Sequence, residues 1–254
     1  MSGEPGPLAI KRRRRWFRTA ATAVLGLVAL YLLAAYLFLP FVWELYEGDL
    51  NREPSEMVTH TQQGIPGDPI NVGLIGLHGD ILNAMAAAGW HPADPVTLRS
   101  SIEIGISVVL DRPYARAPVS TLLFEGRPQD LAFEKAAGES ADRRHHVRFW
   151  QASSRLGSSL WLGAASFDRG VGISHDTGQI THHIGPDVDA ERDLLIADLE
   201  KACALLSTQR IAGVGATRKG RNGGGDPYFT DGTATVGLLV PAFREGLPCL
   251  AGTK

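Results

Sequence analysis

His145-His146-Val147-Arg148-Phe149-Trp150-Gln151-Ala152 carries the clearest strand pattern in the chain. Successive strand side chains point to opposite faces. His145 therefore lies with Val147 and Phe149 on a core face, and His146 with Arg148 and Trp150 on the other. Downstream, residues 160–167 read as a second strand, joined through a turn at Asp168-Arg169-Gly170 to a strand at 171–174. The turn Asp176-Thr177-Gly178 leads into another strand at 180–184. Upstream, residues 70–77, 121–124 and 131–135 have strand composition. Residues 209–216 and 233–240 close the domain around a glycine-rich excursion.

Helical periodicity is confined to three segments of this region. Residues 80–89 run from Asp80, an expected N-cap, to Gly89, an expected C′ stop. Residues 97–110 end before Pro113, although their Ile and Val content also fits a strand. Residues 188–205 place Val188, Leu194, Leu195, Leu199 and Ala202 on one side, with Asp187 or Asp189 as the cap. Two early helices, a run of strands and a late helix predict an α+β domain with a mainly antiparallel sheet. No internal repeat is evident.

The N-terminus has a different character. Residues 11–15 are all basic, Arg18 adds a charge, and no charged residue follows until Glu44. The uncharged run 19–43 is long enough to cross the roughly 30 Å hydrocarbon core as a helix, with Trp16, Phe17, Phe41, Trp43 and Tyr46 at its ends. Arg14-Arg15-Trp16-Phe17 resembles a twin-arginine signal, but the apolar run is long for a signal peptide and no Ala-x-Ala site closes it. The expected organisation is a basic cytoplasmic N-terminus (1–18), a transmembrane helix (19–43), a polar tether (44–69) and a globular domain (70–250). The positive-inside rule puts that domain outside the cytoplasm of a bacterial inner membrane, with the lipid bilayer as partner through residues 19–43.

The first 18 residues hold 6 of the 25 Lys and Arg and 1 of the 27 Asp and Glu. The remainder carries 19 basic against 26 acidic residues, a formal charge of −7, which is no footprint for nucleic acid. Cys203 and Cys249 make no disulfide scaffold, although an exported domain permits one bridge.

Five of the eight histidines fall between residues 145 and 183. Imidazoles and carboxylates converging from neighbouring strands hold cations or act as acid and base. Only one member of each pair, His145/His146 and His182/His183, reaches a common site. His146 and His183, with Asp168, are the catalytic candidates. Arg148, Arg169, His175 and Asp187 are ligand-binding candidates. His145 and His182 are expected to pack inward, and no particular metal or cofactor is indicated. Gly73, Gly76 and Gly79 lack dinucleotide-fingerprint spacing. Residues 219–226 lack the ending of a phosphate-binding P-loop, so they read as a hairpin tip, or as an anion-binding loop using Arg218, Lys219 and Arg221. No Gly-x-Ser-x-Gly elbow occurs.

Several strings resemble one family. They are Ala93-Asp94-Pro95-Val96-Thr97-Leu98-Arg99-Ser100, Arg144-His145-His146-Val147-Arg148-Phe149-Trp150, Leu160-Trp161-Leu162-Gly163-Ala164-Ala165-Ser166-Phe167-Asp168-Arg169-Gly170 and Thr181-His182-His183-Ile184-Gly185-Pro186-Asp187-Val188-Asp189-Ala190-Glu191-Arg192-Asp193. Together they resemble the LssY C-terminal domain family over roughly residues 67–208. The resemblance implies a bacterial domain often fused behind a multi-pass membrane phosphatase of the type 2 phosphatidic acid phosphatase class, a domain replaced here by a single span. It transfers no catalytic residue. The expected function is an accessory or ligand-binding module near lipid-linked or phosphorylated envelope substrates. The alternatives are a His/Asp-dependent hydrolase of phosphate esters, with or without a metal, and a scaffold that holds another membrane or export protein.

Overall fold

The computed structural model describes residues 7–39, 57–93, 120–138, 143–155, 158–175, 177–213 and 218–241. Helix α1 (Pro7–Leu33) runs into a π-helical turn, Ala34–Phe38. Trp16–Phe38 is the one helix among the described residues long and apolar enough to cross a membrane. Its side chains are almost all exposed, as suits a membrane anchor or a signal segment.

The chain then forms β1 (Val58–His60), β2 (Pro66–Pro69), β3 (Val72–Gly76), α2 (His78–Ala87), β4 (His91–Pro92), β5 (Leu123–Phe124), β6 (Arg127–Pro128), β7 (Leu131–Ala136), β8 (Arg144–Arg155), β9 (Ser158–Ile173), β10 (Ile180–Ile184), α3 (Val188–Lys201), β11 (Leu205–Ala212), β12 (Lys219–Arg221), β13 (Pro227–Phe229) and β14 (Thr233–Leu239). The large sheet has the order β11-β14-β3-β9-β8-β7-β4, with β10 also paired to β9. Every pairing in it is antiparallel except β14 with β3. The fold is α+β, as the order of elements predicts. The expected helix at 97–110 and Cys249 lie outside the described residues.

One edge of β9 is shared by two strands. Val72–Gly76 pairs with residues 159–163, and Ile180–Ile184 with residues 168–173. Asn71 bridges the gap between them. Its amide donates to the carbonyls of Ala165 (3.0 Å) and Val188 (2.8 Å), and its oxygen accepts from the Ala165 N–H (2.9 Å). A buried side chain thus supplies the ladder bonds that backbone would otherwise supply.

Both faces of the large sheet are covered. On one, Ile81 and Met85 of α2 and Leu195 and Leu199 of α3 pack on Val72, Leu74, Phe133, Val147, Phe149 and Trp161. Gly163 is required here, because a Cβ would come within 2.6 Å of the Phe149 ring. On the other face, the small sheet β2-β1-β5-β6 covers Trp150, Leu162 and Ala164 with Leu122 and Phe124.

Four local expectations are corrected. Residues 58–69 are strand-forming and largely buried rather than the end of a tether: β1 and β2 belong to the small sheet, with Thr59 and Asp68 buried in it. Asp80 sits in the first turn of α2 and accepts from the Leu77 N–H at 2.8 Å, so Leu77 is the N-cap. Gly89 does follow the helix in the left-handed region, at φ 79°. Asp168-Arg169-Gly170 is no turn but part of the 16-residue β9, paired with β8 as far as Asp168 and with β10 along the other edge. Helix α3 stops at Lys201, and Leu205 begins the next strand.

Candidate functional site

Cross-strand register builds the site. Arg144 lies opposite Asp168, His146 opposite Ser166, and Arg148 opposite Ala164. Residues 144, 146 and 148 therefore line up on the face of β8 turned away from the helices. They meet a cavity of about 550 Å³, a size suited to a small ligand. Its other walls are Thr61, Gln63, Ser174, Thr177, Gln179, Thr181, His182, Ile184 and the Asn222–Gly224 stretch.

The floor is a buried array of charges. Arg144 donates to Asp168 and to Glu134, both at 2.9 Å. Arg148 donates to Asp68 at 3.0 Å and to the hydroxyl and carbonyl of Ser120, also at 3.0 Å. His146 lies between two carboxylates, with Nδ1 3.4 Å from Asp168 and Nε2 3.8 Å from Asp68. These distances exceed a good hydrogen bond, so the interaction is mainly charge–charge.

Burial by itself would push the Asp68 and Asp168 carboxyls up. The neighbouring His146, with Arg148 for Asp68 and His182 and Arg144 for Asp168, outweighs it and holds both below the usual carboxylate range. For His146, burial opposes the charged form and so does Arg148. Asp168 and Asp68 prevail, and the imidazole is raised above its ordinary value.

A pH dependence follows. A raised histidine contributes stability fully below its unfolded value of about 6.5, and that contribution vanishes as pH climbs through the higher folded value. The lowered carboxyls contribute above about 4, and their contribution is lost on acidification. The melting temperature is therefore expected to plateau between about pH 4 and 6.5 and to fall on the alkaline side. His146→Gln should flatten that alkaline limb. If the limb keeps its slope in the variant, its cause lies elsewhere in the molecule.

His146, Asp168 and Arg148 come together, but His183 does not join them. His182 faces the cavity instead. His183 turns to the hairpin β12–β13, its Nδ1 2.9 and 3.0 Å from the two carboxylate oxygens of Asp226. Its ring packs on Gly172, where a Cβ would lie 2.2 Å from Nε2. The alternation within β10 is as expected, but its phase is reversed. The apolar Ile184 marks a covered face, and on this sheet both faces are covered. His145 does turn to the helix side, 2.7 Å from Glu191 and stacked near Trp90 and Phe167.

The other candidates lie outside the cavity, Arg169 and His175 beside Asp226 and Asp187 at the start of α3. Arg169 is half exposed, with Nη2 3.6 Å from Asp226. His175 is exposed, and its ring centroid lies 5.4 Å from that of His183. Asp187 caps α3 by accepting from the Ala190 N–H at 3.1 Å. The 219–226 segment is a hairpin whose tip is tucked in, with Asn222 and Asp226 buried. Arg218 and Arg221 donate to the carbonyls of Asp231 and Gly225. Asp68, Arg144, Glu134 and Asp226 were missed as site residues. Arg144 shares the strand phase of His146, so its face is legible in the sequence although its ion-pair partners are not, whereas the others reach the site from other segments.

The cavity rim also touches the apolar helix. The Tyr31 hydroxyl donates to the Gly178 carbonyl at 2.7 Å, and Gln179 Nε2 donates to the Ala35 carbonyl at 2.9 Å. Ala35 lies in the π turn, near the end of the described part of the helix.

Comparison with known proteins returns one family. The family model described as LssY C-terminus matches residues 51–234, from ahead of β1 into β14. No curated protein and no solved structure matches the chain. With nearly all of the α+β domain, including both walls of the charged cavity, inside the matched stretch, this chain belongs to the LssY C-terminal family.

Proposed function

We propose that the chain is a membrane-anchored binding module of the bacterial envelope whose cavity takes the polar headgroup of a lipid-linked or phosphorylated compound. The observation that carries this reading is the contact between the cavity rim and the end of the apolar helix, through Tyr31–Gly178 and Gln179–Ala35. Ser174, Thr177 and Gln179 belong both to the cavity wall and to the segment that meets this helix. With Trp16–Phe38 in a bilayer, Ala35 lies within one turn of the far end of the span and Tyr31 about two turns back, which supports a mouth that opens against the membrane. Val171 and Ile173, exposed on the strand leading into that segment, suit the same interface.

The lining supports a polar ligand. Hydroxyls and amides of Thr61, Gln63, Thr177, Gln179 and Thr181 surround the buried guanidinium and imidazole groups, and such clefts with perturbed titrating groups are the usual sites of recognition. The basic residues ahead of the span support a cytoplasmic N-terminus and an extracytoplasmic domain in the inner membrane. Binding is favoured over hydrolysis because each nitrogen of His146 has a carboxylate as its near neighbour.

Mass spectrometry of lipids retained by the full chain in mild detergent tests this. Wild type is expected to carry an amphiphile with a polar headgroup. Thr181→Trp, which fills the cavity without cutting an ion pair, should lose it. Equal retention by both chains would refute the reading. Phosphate release from phosphate esters that His146→Gln abolishes would favour the hydrolase.

A further inference from the structure

Beside the cavity, and distinct from its charged floor, lies a second group of titrating side chains. His175, His183 and Asp226 each offer one ligand atom, and these atoms all lie within 4.8 Å of one another. We propose that they form a divalent cation site of the zinc class, joining the β9–β10 loop to the tip of the β12–β13 hairpin.

The Asp226 carboxylate is its centre. This side chain is buried, and its Oδ2 accepts from the Ile184 N–H at 3.2 Å. Its Oδ1 faces His183 Nδ1 at 2.9 Å and His175 Nε2 at 4.0 Å. A cation bonded to nitrogen and oxygen at about 2.1 Å in tetrahedral geometry sets its ligand atoms roughly 3.4 Å apart. The two observed separations bracket that value, so small shifts of side chains suffice.

The surroundings hold the ligands in position. His183 is wedged against Gly172, with Nε2 toward that residue and Nδ1 toward Asp226. The His175 backbone N–H donates to the Gly224 carbonyl at 2.9 Å, fixing the loop on the hairpin tip. Asn222 organises that tip, its side-chain oxygen accepting from the N–H groups of Gly224 and Asp226. Three protein ligands leave a coordination position for water or a ligand group. Ser174, Thr177 and Asn222–Gly224 line the cavity, so the ion would clamp two of its walls.

One group competes. Arg169 Nη2 is 3.6 Å from Asp226 Oδ1, and its side chain is 53% exposed. Its cation occupies the same carboxylate oxygen, yet it can swing into solvent when a metal binds. That competition gives the proposal a signature which a purely structural His–Asp contact lacks.

The experiment uses the full, tag-free chain in detergent, stripped with chelator and titrated with Co²⁺ and then Zn²⁺. Wild type is expected to develop the visible absorption of tetrahedral Co²⁺, which Zn²⁺ abolishes, and to melt at a higher temperature with either ion. His175 is exposed, so His175→Ala should fold normally and bind more than about tenfold more weakly. Arg169→Gln should bind several-fold more tightly. Absence of binding by wild type, wild-type affinity in His175→Ala, or no gain in Arg169→Gln overturns the site.

Discussion

Arg144→Met is expected to destabilise the domain by about 3–5 kcal/mol, the usual cost of removing one partner from a buried ion pair. The guanidinium sits between Glu134 and Asp168 at 2.9 Å from each, and all three side chains are at most 5% exposed. Methionine fills similar volume, so the loss reflects two buried carboxylates deprived of their shared guanidinium more than a void. Adding Glu134→Gln and Asp168→Asn should recover part of the loss, because residues in one network are not additive. Urea denaturation of the full chain in detergent, followed by tryptophan fluorescence, measures it. A loss below about 1 kcal/mol would mean that water already screens these charges, as it does at a surface.

Asn71→Leu is expected to be nearly as damaging, at about 3–4 kcal/mol, since each buried group left without a partner costs about 1–3 kcal/mol. The substitution keeps the size of the side chain, strands the N–H and C=O of Ala165, and takes one of its donors from the C=O of Val188, which opens helix α3. Those groups lie where β9 passes from β3 to β10, so the lesion is at the joint that holds the histidine-bearing strand. Hydrogen exchange at the Ala165 amide should rise well beyond that of other β9 amides. If exchange there keeps pace with the rest of the strand, the joint is not the weak point and the loss is ordinary core disruption.

Neither residue stands out in the sequence. Arg144 reads as one more basic residue in Arg143-Arg144, and its role appears only when the register sets Asp168 opposite and Glu134 on the neighbouring strand. Asn71 falls inside the expected strand 70–77, and nothing in the sequence marks it as the bridge between β9 and α3. The apolar helix is different. Its length, lack of charge and aromatic ends are properties of one continuous segment, so the candidate span is visible without any fold.

The same division runs through the whole chain. Local periodicity and capping depend on neighbours a few residues apart. From sequence alone one could therefore read the α+β class, the alternation of His145 to Trp150, the stop at Gly89 and a cap at Asp187 or Asp189, of which the structure selects Asp187. Tertiary structure decided that Asp168 lies within a strand and that Asp68 pairs with Arg148, 80 residues away. It also decided that Asp226 takes His183 out of the cavity and leaves His182 in it. Period-two alternation tells which residues share a face. It cannot tell which face meets a cavity when helices cover one side of the sheet and a second sheet covers the other, because an apolar neighbour then marks both.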